Sequence, residues 1–154
     1  MRRVYVDGVF DMFHASHIEY LRRVRDEAGV PSEQVHLICG VVTDEDTASY
    51  KRVPVIPHDM RCTMLRHCDL VDEVITHPPL VLTGEFLDEH DIHLVFHGDD
   101  SLQEDFFAVA IARNIMRYVP YSRRISTTRI LGEVQRRTAE GSLDRHLIQQ
   151  RLRS

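Results

Sequence analysis

Arg3-Val4-Tyr5-Val6-Asp7-Gly8-Val9-Phe10-Asp11-Met12-Phe13-His14-Ala15-Ser16-His17 is the stretch whose reading decides the fold. Val4-Tyr5-Val6 is short, β-branched and aromatic, and Asp7-Gly8 ends it, so it reads as a first strand delivering the chain into a loop. From His17 onward Ile18, Leu21, Val24 and Ala28 recur at helical spacing with charged residues between them, and Gly29 closes that helix. Residues 35–42 then form a continuous apolar run, as in a parallel strand covered on both faces.

The alternation continues. Residues 58–68 carry Met60, Met64, Leu65 and Cys68 at helical spacing, and Val71-Asp72-Glu73-Val74-Ile75 reads as a short strand. Residues 86–90 read as a helix, 92–96 as a strand ending at His97-Gly98-Asp99-Asp100, 105–113 as a helix, 116–119 as a last strand, and 125–137 as a helix opening at Ser126-Thr127-Thr128. Repeated strand and helix units imply an α/β fold: a Rossmann-like, doubly wound parallel sheet of about five strands with helices on both faces. In such folds ligands sit beyond the carboxyl ends of the strands. Residues 1–137 are expected to form one domain. Residues 138–154, with Leu143, Leu147, Ile148 and Leu152 near Arg145, Arg151 and Arg153, read as a short amphipathic tail that packs on the body or on a second subunit.

Composition narrows the function. A 154-residue chain of net charge -5 lacks the basic footprint of a nucleic-acid binder, so small-molecule substrates are expected. No stretch of eighteen apolar residues occurs and Asp7 interrupts the amino-terminal run, which gives the expectation of a cytoplasmic protein without a membrane partner. Cys39, Cys62 and Cys68 are an odd number without a C-x-x-C, so neither a disulfide framework nor a zinc ribbon is implied. Of the 19 basic residues only Lys51 is lysine, a pattern attributable to codon bias. A lysine retained against such bias is either a chance survivor or a chemical group.

His14 and His17, three apart at a helix start, point the same way, where free backbone N–H groups favour an anion. Imidazoles so placed can donate hydrogen bonds to phosphate oxygens. The spacing alone also fits paired surface histidines, and no third ligand stands at a recognised metal spacing.

G-x-F-D-x-x-H-x-x-H after the first strand resembles the signature of the cytidylyltransferases. Arg66-His67-Cys68 with Val71-Asp72-Glu73-Val74-Ile75 is similar to that family's H-C-x-x-V-D-E-V, His97-Gly98-Asp99-Asp100 resembles its ethanolamine-phosphate and glycerol-phosphate branches, and Ile125-Ser126-Thr127-Thr128 matches its I-S-T-[TS] segment. The resemblance implies transfer of CMP from CTP to a small phosphate or phosphonate monoester, with Mg²⁺ carried on the triphosphate and a homodimeric assembly. It implies catalytic roles for His14, His17 and Lys51. Nucleotide contacts are implied for Val9, Phe10, Asp11, His14, His17, His97, Gly98, Asp99, Arg124, Ile125, Ser126 and Thr127, and acceptor contacts for Asp7, Asp11, Lys51 and Arg61. An acceptor phosphate is already nucleophilic at neutral pH, so the protein's task is alignment and charge neutralisation.

Three departures qualify the resemblance. Ser16 stands where the family has Gly, and Tyr121 and Arg124 stand where it has an arginine and a glycine in the segment before Ile125-Ser126-Thr127. The chain has no Trp, and Leu80 occupies the position of the choline branch's tryptophan, so phosphocholine is not the expected acceptor. An adenylyltransferase of the wider superfamily and a non-catalytic nucleotide-binding protein are the alternatives.

Overall fold

Val4, Tyr5 and Val6 have no solvent exposure. They lie in the central strand of the computed structural model, which describes residues 1–99, 104–122 and 124–142. In chain order the elements are β1 (Arg2–Gly8), α1 (Ala15–Asp26), β2 (Val35–Val41), α2 (Asp44–Tyr50), α3 (His58–Arg66), β3 (Glu73–Ile75), α4 (Gly84–Glu89), β4 (Leu94–Gly98), α5 (Ala108–Ala112), β5 (Met116–Val119) and α6 (Thr127–Ala139). The five strands form one parallel sheet in the order β3-β2-β1-β4-β5, with Val6 in register with Cys39 on one side and Phe96 on the other.

Successive β1 residues face opposite sides of the sheet. Val4 and Val6 pack with Tyr20, Leu21 and Val24 of α1 and Cys62 and Leu65 of α3, whereas Tyr5 packs with Phe86 and Leu87 of α4 and Ala110 of α5. The chain is therefore doubly wound as expected, and each buried aliphatic side chain contributes roughly 1.5–3 kcal/mol. Strand order reverses between β1 and β4, which opens a crevice beyond their carboxyl ends, where Gly8 and Gly98 stand.

Helix α2 was not expected. Thr43 caps it by accepting a bond from the Asp46 amide at 3.1 Å, and Asp44, Glu45 and Asp46 fill its first turn. Thr47 is its only buried residue, so it carries no apolar periodicity to read. Two strands start later than expected, at Glu73 and Leu94, and the helix expected over 105–113 divides into a 3-10 turn (Glu104–Phe107) and α5.

The chain forms two compact units, Met1–Ser122 and Arg123–Ser154. The expected boundary after residue 137 falls inside α6, and the tail from 143 onward lies outside the described residues. No helix among the described residues is long and apolar enough to cross a membrane.

Gly40 of β2 lies under the Tyr5 hydroxyl: a Cβ there would collide with that oxygen and stand 3.0 Å from Pro78 Cβ. Gly40→Ala is expected to lower unfolding free energy in urea by about 1–3 kcal/mol. Adding Tyr5→Phe should recover part of the loss, making the pair non-additive.

Candidate active site

The loop after β1 is strained and clamped. Phe10 and Met12 both adopt φ 51°, a left-handed conformation that costs a bulky residue about 1–3 kcal/mol. Asp11, 4% exposed, offsets that cost: Oδ2 accepts from the Val55 amide at 2.9 Å and from Arg52 Nη1 at 3.2 Å, and Oδ1 accepts from the Ile56 amide at 2.9 Å. Burial alone would raise the Asp11 pKa, but these amides and the Arg52 charge outweigh it and hold the carboxyl below its ordinary value.

Arg61, expected to serve the substrates, is 1% exposed and lies beneath the loop. Its Nε donates to the Ile56 carbonyl at 3.0 Å, Nη1 to the Val9 carbonyl, and Nη2 to Asp44 Oδ1 at 2.7 Å. All three guanidinium nitrogens are engaged by protein, so Arg61 sets the positions of Val9, Ile56 and α2.

His14 is the N-cap of α1, and His17 Nδ1 accepts a bond from the His14 amide at 3.2 Å. Accepting at Nδ1 puts the proton of neutral His17 on Nε2. The two rings stack 3.9 Å apart, Phe13 stacks on His17 at 5.4 Å, and Phe10 meets His17 edge-on at 5.5 Å. Burial, reinforced by His14, pushes the His17 pKa down to about 3, and burial lowers that of His14 as well. Both rings are thus neutral N–H donors at neutral pH. Ser16 Oγ and His14 Nδ1 are buried and find no hydrogen-bond partner among the described residues. Orphaned polar atoms beside the free N–H groups of a helix start fit an anion.

Asp7 ends β1. Desolvation raises its pKa to about 7, against the opposing pull of the Tyr5 hydroxyl, the Asp7 amide and the Lys51 charge. Tyr5 is fully buried beside this carboxyl. Lys51, the exposed C-cap residue of α2, holds Nζ 5.4 Å from the Tyr50 ring centroid, and Tyr50 meets Phe106 edge-on at 5.6 Å. Asp7 also raises the Tyr50 pKa, after burial, which places its charge within reach of that aromatic pair.

The structure therefore gathers Asp7, Val9, Phe10, Asp11, His14, His17, Lys51 and Arg61 around the carboxyl end of β1. At the neighbouring end of β4, His97 Nδ1 lies 2.8 Å from the Gly98 carbonyl, and Asp99 accepts from the Tyr121 amide at 3.0 Å. Asp100 lies outside the described residues. Arg124, Ile125, Ser126 and Thr127 belong to the second unit, where Ser126 Oγ caps α6 by accepting from the Arg129 amide at 3.2 Å. Among the described residues no group of three or more His, Cys, Asp or Glu could hold a metal ion. Sequence reading did not anticipate Arg52, Asp44, Tyr5, Tyr50 or Phe106. Asp44 was available as part of Thr43-Asp44-Glu45-Asp46, a helix-start pattern, whereas the others acquire meaning only by tertiary neighbours.

The all-parallel sheet and its switch point place the chain among Rossmann-like α/β folds. The profile of the Cytidylyltransferase-like family matches residues 5–133, and the chain belongs to that family. It is 44% identical over 97 residues to a probable choline-phosphate cytidylyltransferase of Schizosaccharomyces pombe, covering 63% of this chain and 26% of that protein. It is 37% identical over 140 residues to the ethanolamine-phosphate cytidylyltransferase of Arabidopsis thaliana, covering 86% of this chain and 32% of that protein. The chain thus spans about a third or less of the length of these relatives. A lipopolysaccharide core biosynthesis protein from Thermoplasma volcanium shares the fold, with TM-score 0.61 and 20% identity over 79% of this chain and 97% of that one.

The Asp7 carboxyl supplies a stability test. The folded chain keeps its proton up to about pH 7 and the unfolded chain loses it near 3.8, so native stability declines as pH rises through that window. Asp7→Asn removes this cost. Its melting temperature should exceed that of the unaltered protein at pH 8, the gap vanishing below pH 3.8, with a ceiling of about 4 kcal/mol at about 1.4 kcal/mol per pH unit.

Proposed function

We propose that this chain transfers CMP from CTP to a phosphomonoester whose base carries an ammonium group, ethanolamine phosphate first. The observation that carries the reading is the pair of neutral, stacked histidines beside unpartnered buried polar atoms at the start of α1, with the chain's sole lysine acting electrostatically on Asp7 at the end of β1. A phosphate oxygen of the acceptor attacks the α-phosphorus of CTP. The new P–O bond forms as the bond to the β-phosphate breaks, and pyrophosphate leaves with the electron pair. His17 Nε2–H and the His14 ring donate to the α-phosphate oxygens as charge builds there, Lys51 neutralises donor and acceptor together, and no general base is required. Mg²⁺ enters with the triphosphate.

The base of the acceptor is the finer part of the proposal. Asp7, within electrostatic reach of Tyr50, which meets Phe106 edge-on, supplies a carboxylate near aromatic faces, the chemistry that holds an organic cation. The absence of Trp is therefore a weak reason to discard phosphocholine, and a choline-phosphate relative at 44% identity weighs against discarding it. The longer match, over 86% of the chain, is to an ethanolamine-phosphate enzyme, which favours that acceptor. The homodimer expected from the resemblance is part of the same proposal, to be read from solution mass.

Pyrophosphate release with CTP or ATP, each against phosphoethanolamine, phosphocholine, glycerol phosphate and 2-aminoethylphosphonate, tests the reading. Turnover is expected with CTP and the ammonium-bearing acceptors, and to cease when Mg²⁺ is chelated. Preference for ATP or for glycerol phosphate would reject it. Lys51→Ala is expected to lower kcat by about 10²–10³-fold.

A further inference from the structure

Lys51 is anchored by charge on both sides. Before it, α2 begins at Asp44, which Arg61 Nη2 holds at 2.7 Å. After it, Arg52 Nη1 reaches Asp11 Oδ2 at 3.2 Å, and the same carboxylate takes the Val55 and Ile56 amides. Asp11 lies three residues before His14, so the Arg52–Asp11 pair links the residue next to Lys51 to the histidine loop. The Arg52 side chain is 44% exposed, which leaves packing a small part of its role.

We propose that Arg52 is a positioning residue that sets Lys51 against the histidine loop through its ion pair with Asp11, within the transfer reaction proposed above. Such a pair with one exposed partner adds little to global stability, whereas misplacing a transition-state charge by about 1 Å costs on the order of 10²-fold in rate. Arg52 therefore acts more on rate than on folding, because the Val55 and Ile56 amides still hold the Asp11 carboxylate without it. A direct contact of Arg52 with the triphosphate is the competing role, and it makes a different forecast because it does not require Lys51.

The test is a double-mutant cycle with CTP and phosphoethanolamine. Arg52→Ala is expected to lower kcat by about tenfold or more, to change either KM by less than about threefold, and to lower the melting temperature by no more than about 4 °C. In a Lys51→Ala background the same substitution should cost less than about threefold, there being no ammonium left to place. Because Lys51 is the sole lysine of the chain, [13C]lysine labelling yields one side-chain Cε signal, which is expected to move in Arg52→Ala without any turnover. An unchanged kcat, an equal loss in both backgrounds, or an unmoved lysine signal would overturn the inference. No pyrophosphate release by the unaltered protein with any acceptor would overturn the functional reading instead, and the lysine signal then decides the placement by itself.

Discussion

The Arg61 guanidinium holds together three segments that share no secondary structure. Its bonds to the Val9 carbonyl, the Ile56 carbonyl and Asp44 tie the loop after β1, the segment before α3 and the first turn of α2 to one point. A cation with no side-chain exposure is tolerated only because each nitrogen is paired. Removing Asp44 would leave the buried guanidinium without its counter-charge. The strained φ values at Phe10 and Met12 persist under this clamp and the parallel one made by Asp11.

On that framework the electrostatics of the site run against ordinary expectation. The histidines are kept neutral by burial and mutual proximity, so they bring directed N–H donors instead of positive charge. Positive charge comes from Lys51, on a flexible and exposed stem beside the Tyr50 ring. Asp7 is raised to about 7 by the loss of solvent.

Much of the fold was legible because the apolar pattern is strong where strands are buried on both faces. Val4-Tyr5-Val6 and the run from Val35 read as parallel strands, and β5 lies at the expected residues. Helix α2 escaped because its stability comes from a Thr43 cap and an acidic first turn, neither of which leaves an apolar stripe. In the site, His14, His17 and Lys51 stood out by type and spacing. Arg61 was legible as a special residue but not as a buried one, since sequence does not say on which side of a loop a guanidinium will lie.

By itself the sequence determined the doubly wound parallel architecture and the family, because these follow from periodicity and from short-range motifs along the chain. Tertiary structure alone decided which charges hold the scaffold, as with Arg61 and Asp11, and which nitrogen of His17 carries the proton. It also decided that Tyr50, paired edge-on with Phe106, lies within electrostatic reach of Asp7. Each of these depends on burial and on partners far away in the chain, and desolvation and pairing are properties of a place in the fold, not of a residue in a string.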